Sequence, residues 1–112
     1  MSQNSISKEE RKKLLQLPFR MTIEDIFTIK GRDVIAVTGR AASGQLRKGD
    51  AVHIVEGGIS KVVAAQVFGF GGFIHDSEHY VAQTGENVVL LFKELRLEQL
   101  KIGMVVSTEA IV

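Results

Sequence analysis

The sequence predicts an all-β fold, a small closed antiparallel β-barrel led by one short N-terminal helix. From Phe19 onward the chain is rich in Val, Ile, Phe and Thr, side chains that suit a pleated, half-buried surface. Glycines interrupt these runs at intervals suited to chain reversals, and the single proline, Pro18, stands ahead of them. Many short antiparallel strands leave unpaired edges unless the sheet closes, which favours a barrel over an open sheet.

In order along the chain, Met1 to Ile6 is polar and expected to fray. Ser7-Lys8-Glu9-Glu10 has the S-x-x-E form of a capping box, so a helix is expected from there to about Leu17. Leu14, Leu15 and Leu17 give that helix an apolar edge opposite Glu9, Glu10, Arg11, Lys12 and Lys13, and Pro18 disfavours helical geometry at Leu17. The edge suits docking on the barrel wall, or else docking of a partner. Strands are expected near 19–29, 33–42, 50–56, 59–69, 73–82, 86–93 and 103–107. Gly57-Gly58 reads as a tight hairpin, because paired glycines accept the positive φ of primed turns. Glu94 to Lys101 can form one short helical turn. The expected organisation is a tail and helix over 1–18, a barrel over 19–107 and a C-terminal tail over 108–112.

The 112 residues, 45% of them hydrophobic, suffice for one ordinary core and are too few to expect two. Fourteen Lys and Arg against thirteen Asp and Glu leave a net charge of +1, so no global field draws the chain to nucleic acid or an anionic membrane. Neither DNA nor a membrane is an expected partner, and any RNA contact must come from a local patch. With no cysteine there is no disulfide framework or thiolate metal site, which fits a reducing compartment. The apolar runs are shorter than a membrane span and the first twenty residues are charged where a signal peptide would be apolar, so a cytoplasmic location is expected.

The most informative stretch is Ile23 to Gly49. It holds Ile23-Glu24-Asp25-Ile26-Phe27, Lys30-Gly31-Arg32 and Thr38-Gly39-Arg40, then Gly44, Leu46, Gly49 and Asp50 in the spacing GxLxxGD. Downstream stand Gly85-Glu86-Asn87-Val88 and Ile102-Gly103-Met104-Val105. In this order and spacing, from about Phe19 to Ser107, the chain resembles the second domain of translational GTPases, the barrel behind the nucleotide-binding domain in elongation factor Tu. A GTPase needs a glycine-rich loop ending in Lys-Ser/Thr. Here Gly39 to Gly44 has the glycine spacing but continues Gln45-Leu46, and no Asn-Lys-x-Asp string for reading guanine occurs. The resemblance therefore implies the barrel of such a factor without its catalytic domain.

In that family the barrel helps to hold the aminoacylated 3′ adenosine of transfer RNA through an apolar pocket, a Glu, an Arg and an Asn. By resemblance the apolar wall falls on Ile29, Gly31, Ala36 and Leu91, and the Asn on Asn87. Gln66 stands at the Glu position, Phe68 matches a family Phe, and Gly69 stands at the Arg position. An amide and a hydrogen thus replace a carboxylate and a guanidinium, removing charge-assisted contacts. Phe68, Phe70 and Phe73, separated by glycines, suit core packing with close backbone approach, base stacking, or an apolar patch for a protein partner. Arg32, Arg40, Arg47 and Lys48 form a candidate basic patch around the first hairpin and the loop after it. His75 and His79 have an i, i+4 spacing, but between strand-like runs they read as a solvated hairpin tip rather than a metal site. His53 is expected to face outward from a strand. No Ser-His-Asp order or acid pair indicates an enzyme, and no cofactor is expected. The expected function is a non-catalytic binding module for a translation component: RNA, the ribosome or a translational GTPase. The alternative is a protein-interaction or regulatory module that has kept the barrel and lost RNA binding. Calorimetric titration of the purified chain with GTP is expected to show no binding; micromolar affinity would contradict the missing phosphate lysine.

Overall fold

The structure, a computed structural model, describes residues 7–56, 62–71 and 79–109. Helix α1 (Lys8–Gln16) starts where the capping box places it, with the Glu10 N–H donating to Ser7 Oγ at 3.1 Å. The helix ends before Pro18: Leu17 is extended at φ −77° and ψ 162°. The Leu14 carbonyl accepts from the Gly44 N–H at 2.8 Å, which ties the helix to the barrel. Leu14 and Leu15 are half-buried, whereas Leu17 is 51% exposed. The expected apolar edge thus loses Leu17, because the chain has left helical geometry there and no longer shares the helix face.

Nine strands occur among the described residues: β1 (Arg20–Thr28), β2 (Val34–Ser43), β3 (Gln45–Arg47), β4 (Ala51–Val55), β5 (Val62–Gln66), β6 (Gly69–Phe70), β7 (Val81–Gln83), β8 (Asn87–Lys93) and β9 (Val105–Ser107). The seven-stranded sheet runs β5-β4-β9-β1-β2-β8-β6, with every pair antiparallel. Its two outer members are successive parts of one segment. The Val67 N–H still bonds to the Asp50 carbonyl beside β4 at 2.9 Å, and the next N–H, of Phe68, bonds to the Leu91 carbonyl of β8 at 2.8 Å. One segment therefore joins both edges and closes the ring, the barrel that the strand pattern predicts.

Strand β3 was not expected. Three residues are too few for a readable alternation, and β3 exists by pairing with β7 in a separate two-stranded sheet. Leu46 and Ala82 of that pair are fully buried and extend the core where β2 ends and β8 begins. At the opposite end the β8–β9 connection, with a single 3₁₀ turn at Leu97–Gln99, contributes buried Leu100 and Met104. The expected strand over 59–69 is divided into β5 and β6. Of that expected over 73–82, β7 lies among the described residues. The Gly57-Gly58 hairpin, Phe73 and the run from His75 to Glu78 lie outside them. Thr108 and Glu109, assigned to the tail from sequence, are tied to the barrel: Phe19 N–H donates to Thr108 Oγ1 at 2.9 Å, and Arg20 pairs with Glu109.

The core follows the strand alternation with two phase changes. Along β1, Met21 and Ile23 face inward, the register then skips Glu24, and Ile26 is the next to pack on the core. This is a β-bulge, which bends and twists a strand as closure requires. Along the closing segment Val63, Ala65 and Val67 face the core, and the next side chain to do so is Phe70. Strict alternation would have turned position 69 inward; instead Phe68 and Gly69 take two consecutive outward positions, Gly69 opposite outward Leu91 and Phe70 opposite buried Leu90.

Gly44 sits where β2 turns into β3, at φ +75°, and a Cβ there would lie 2.4 Å from the Phe19 backbone nitrogen. Tyr80 packs edge-on to buried Phe70, with ring centroids 4.9 Å apart, and its hydroxyl donates to Glu86 Oε1 at 3.2 Å. Burial first, then the Glu86 charge and this hydrogen bond, raise the Tyr80 pKa above its ordinary 10.0. Gly44→Ala, facing both strain and a backbone clash, should cost about 3 kcal/mol or more in urea unfolding, against about 1 kcal/mol for Gly85→Ala. Gly85 has positive φ but open space around it. A folded-state pKa that is raised holds its stabilisation at neutral pH and loses it as pH climbs above the unfolded value of about 10. Tyr80→Phe should therefore flatten the alkaline fall in unfolding midpoint, while costing about 1 kcal/mol or less at pH 7.

Candidate functional site

The slip at Phe68 and Gly69 shapes the outer surface as well as the core. Inward alternation on β8 belongs to Val88, Leu90 and Phe92, which leaves Asn87, Val89, Leu91 and Lys93 facing out. Phe68, two residues before inward Phe70 but on the far side of the slip, also faces out and is 39% exposed. Its ring lies under the Lys93 ammonium, with Nζ 4.3 Å from the ring centroid. Around this pair runs a groove of about 470 Å³, lined also by Lys48 and Gly49 from the β3–β4 turn, Ala64 and Gln66 from β5, and Glu94 and Leu95. Gln66 Nε2 donates to the Gly49 carbonyl at 2.9 Å, fixing the amide across one wall.

The groove therefore offers an aromatic face, two cationic side chains, a fixed amide and one carboxylate. Glu94 stands in the left-handed region at φ 65°, a conformation a non-glycine residue adopts rarely. It ends β8 at Lys93 and turns the chain across the barrel end.

Of the pocket residues suggested by resemblance, Gln66 and Phe68 line this groove. Gly69, Leu91 and Ala36 form one cross-strand row beside it, since Leu91 pairs with both Gly69 and Ala36. The row continues to Phe27, the β1 partner of Ala36, which is 49% exposed. Ile29 and Gly31 belong to the β1–β2 turn, where the Ile29 N–H bonds to the Val34 carbonyl at 3.1 Å. Asn87 lies four residues from Leu91 along β8, roughly 13 Å away at strand rise, and pairs with Arg40. Asn87 is thus apart from Gln66 and Phe68.

The basic residues are distributed rather than gathered. Arg32 is in the β1–β2 turn, while Arg40 lies six residues beyond Val34 along β2, roughly 20 Å at strand rise. Arg40 Nε donates to the Gly85 carbonyl at 3.1 Å. The Arg47 N–H donates to Asp50 Oδ2 at 2.8 Å in the turn that carries Lys48 into the groove. Sequence reasoning did not single out Lys93 or Glu94. The β8 alternation could have turned Lys93 outward on paper, but its contact with Phe68 depends on the closing segment lying beside β8.

A side chain at Gly69 has room, since a Cβ there would meet only Leu91 Cδ1 at 3.9 Å. Gly71 differs, because a Cβ would lie 2.8 Å from Val89 Cγ1. The Phe-Gly alternation thus serves two ends, with Phe70 in the core, Gly71 in close approach and Phe68 on the surface. His53 faces outward between buried Val52 and Ile54, as expected, and its Nδ1 is buried without a hydrogen-bond partner. Among the described residues no cluster of His, Asp and Glu is placed to hold a metal ion, and no helix is long and apolar enough to cross a membrane. No known protein-family model matches the chain.

Proposed function

We propose that this chain is a non-catalytic binding module akin to the second domain of translational GTPases, and that it contacts an RNA-bearing translation component through the groove at Phe68. The observation that carries the reading is the outward Phe68 ring under Lys93, in a groove that Lys48 also lines. Aromatic faces stack on bases of any sequence, and neighbouring cations take the phosphates. The motif order from Ile23 to Val105 supports the translation-factor part of the proposal. The surface differs from the family pattern in a definite way: Gln66 and Gly69 leave base stacking and lysine contacts in place of a carboxylate and guanidinium pair.

A second reading has its own observation. Phe27, Ala36 and Leu91 form an apolar row on adjacent strands, with Phe27 49% exposed, Leu91 half-buried and Ala36 buried between them. Such a row suits a protein partner, and the barrel would then be an interaction or regulatory module.

Titration of aminoacylated transfer RNA at two salt concentrations separates the readings. Groove binding should weaken as salt rises, and Phe68→Ala should cost about 1–3 kcal/mol, the scale of one stacked base. Gly69→Arg should tighten binding, because a Cβ there meets nothing closer than Leu91 Cδ1 at 3.9 Å and the guanidinium adds a cation. Gln66→Glu should forfeit the bond to the Gly49 carbonyl, since two acceptors then face each other. If neither wild type nor the Gln66→Glu, Gly69→Arg double variant binds detectably, the RNA reading fails and the apolar row becomes the leading surface.

A further inference from the structure

The contact between Lys93 and Phe68 has a consequence for what the groove accepts. The ammonium stands 4.3 Å from the ring centroid, over the ring that a stacking base would use. In the free protein the aromatic platform is thus already occupied by a cation from the same chain. Lys93 is the last residue of β8, and Glu94 turns the chain immediately after it, so the backbone at Lys93 is set by the strand and the ammonium moves by rotation of its own stem.

We propose that Lys93 is a specificity-determining residue that exchanges partners on binding, leaving the Phe68 ring for an anionic group carried by the ligand. This rests on the groove being a nucleotide-binding surface. A neutral flat aromatic must displace the ammonium and offers it nothing in return, so it forfeits the cation–π contact. A base bearing a phosphate stacks on the ring and gives the displaced ammonium a charge-assisted partner. The groove therefore selects phosphorylated aromatic ligands over neutral ones by penalising the neutral ligand as well as by attracting the anion. Two lysines that merely added positive charge would lack the first effect. Glu94 in the same wall repels a misplaced phosphate and so favours its approach on the Lys93 side.

Adenosine 5′-monophosphate and adenosine are the probes, titrated against the full chain by NMR, which reads weak affinities directly. In the free protein the Lys93 ε-methylene protons should be shifted upfield by the Phe68 ring, and Phe68→Leu should abolish that shift. The monophosphate should bind wild type about tenfold or more tightly than adenosine, and its saturation should remove the upfield shift as the ammonium leaves the ring. In Lys93→Met the preference should shrink, and adenosine should bind about two- to fivefold more tightly than to wild type, because the platform is no longer occupied by a cation. Adenosine binding to Lys93→Met no better than to wild type would overturn the exchange, as would an upfield shift that persists in the monophosphate complex. Failure of both probes to bind wild type would overturn the nucleotide-groove reading itself, an outcome distinct from binding without exchange.

Discussion

Between Val67 and Phe68 the backbone changes hydrogen-bond partner, from Asp50 beside β4 to Leu91 of β8, and the rest of the barrel depends on that change. A peptide N–H buried without a partner costs as much as a lost hydrogen bond, so a sheet with two open edges would need water or another chain along both. Here one segment satisfies both edges in succession. The core of Met21, Ile23, Val37, Ile54, Leu90, Phe92 and Val106 is enclosed because the ring is closed around it.

The surface feature of greatest chemical interest follows from the same event. Successive N–H groups of a strand point to opposite edges, so Val67 can bond beside β4 while Phe68 bonds β8. Alternation through Val63, Ala65 and Val67 places Phe68 on the outside, and the slip after it turns Phe70 rather than Gly69 to the core. Structure and site therefore meet at one place: the segment that closes the barrel also carries the exposed aromatic ring beside Lys93. The bulge at Glu24 does comparable work on β1, where it keeps Ile26 on the core side after the register shifts.

Charge acts locally in this molecule. A net charge of +1 gives no long-range attraction for polyanions, and the basic residues are spread along the strands and turns. Arg40 is committed to the Gly85 carbonyl, and Arg20 to Glu109. What distinguishes the groove is an exposed aromatic ring under Lys93, with Lys48 lining the same groove. A lysine over an aromatic face is worth little at an exposed site, on the order of 0.5–1 kcal/mol, which leaves the contact weak enough to exchange.

Several features were determined by the sequence alone. The Ser7 cap and Pro18 bound the helix, since both act through backbone groups a few residues away. Val, Ile and Phe runs mark the strands, and alternation on β8 assigns Val88, Leu90 and Phe92 to the core and Lys93 to the surface. The tertiary structure decided the rest. Strand β3 exists only through its pairing with β7, Leu17 lost its place on the helix face, and Asn87 came to lie away from Gln66 and Phe68. Most of all, which strand Phe68 would lie beside depended on where one segment exchanged β4 for β8. Periodicity records the neighbours of a residue along its own strand, whereas a change of partner is settled by hydrogen bonds to strands distant in sequence, and it leaves no local pattern to read.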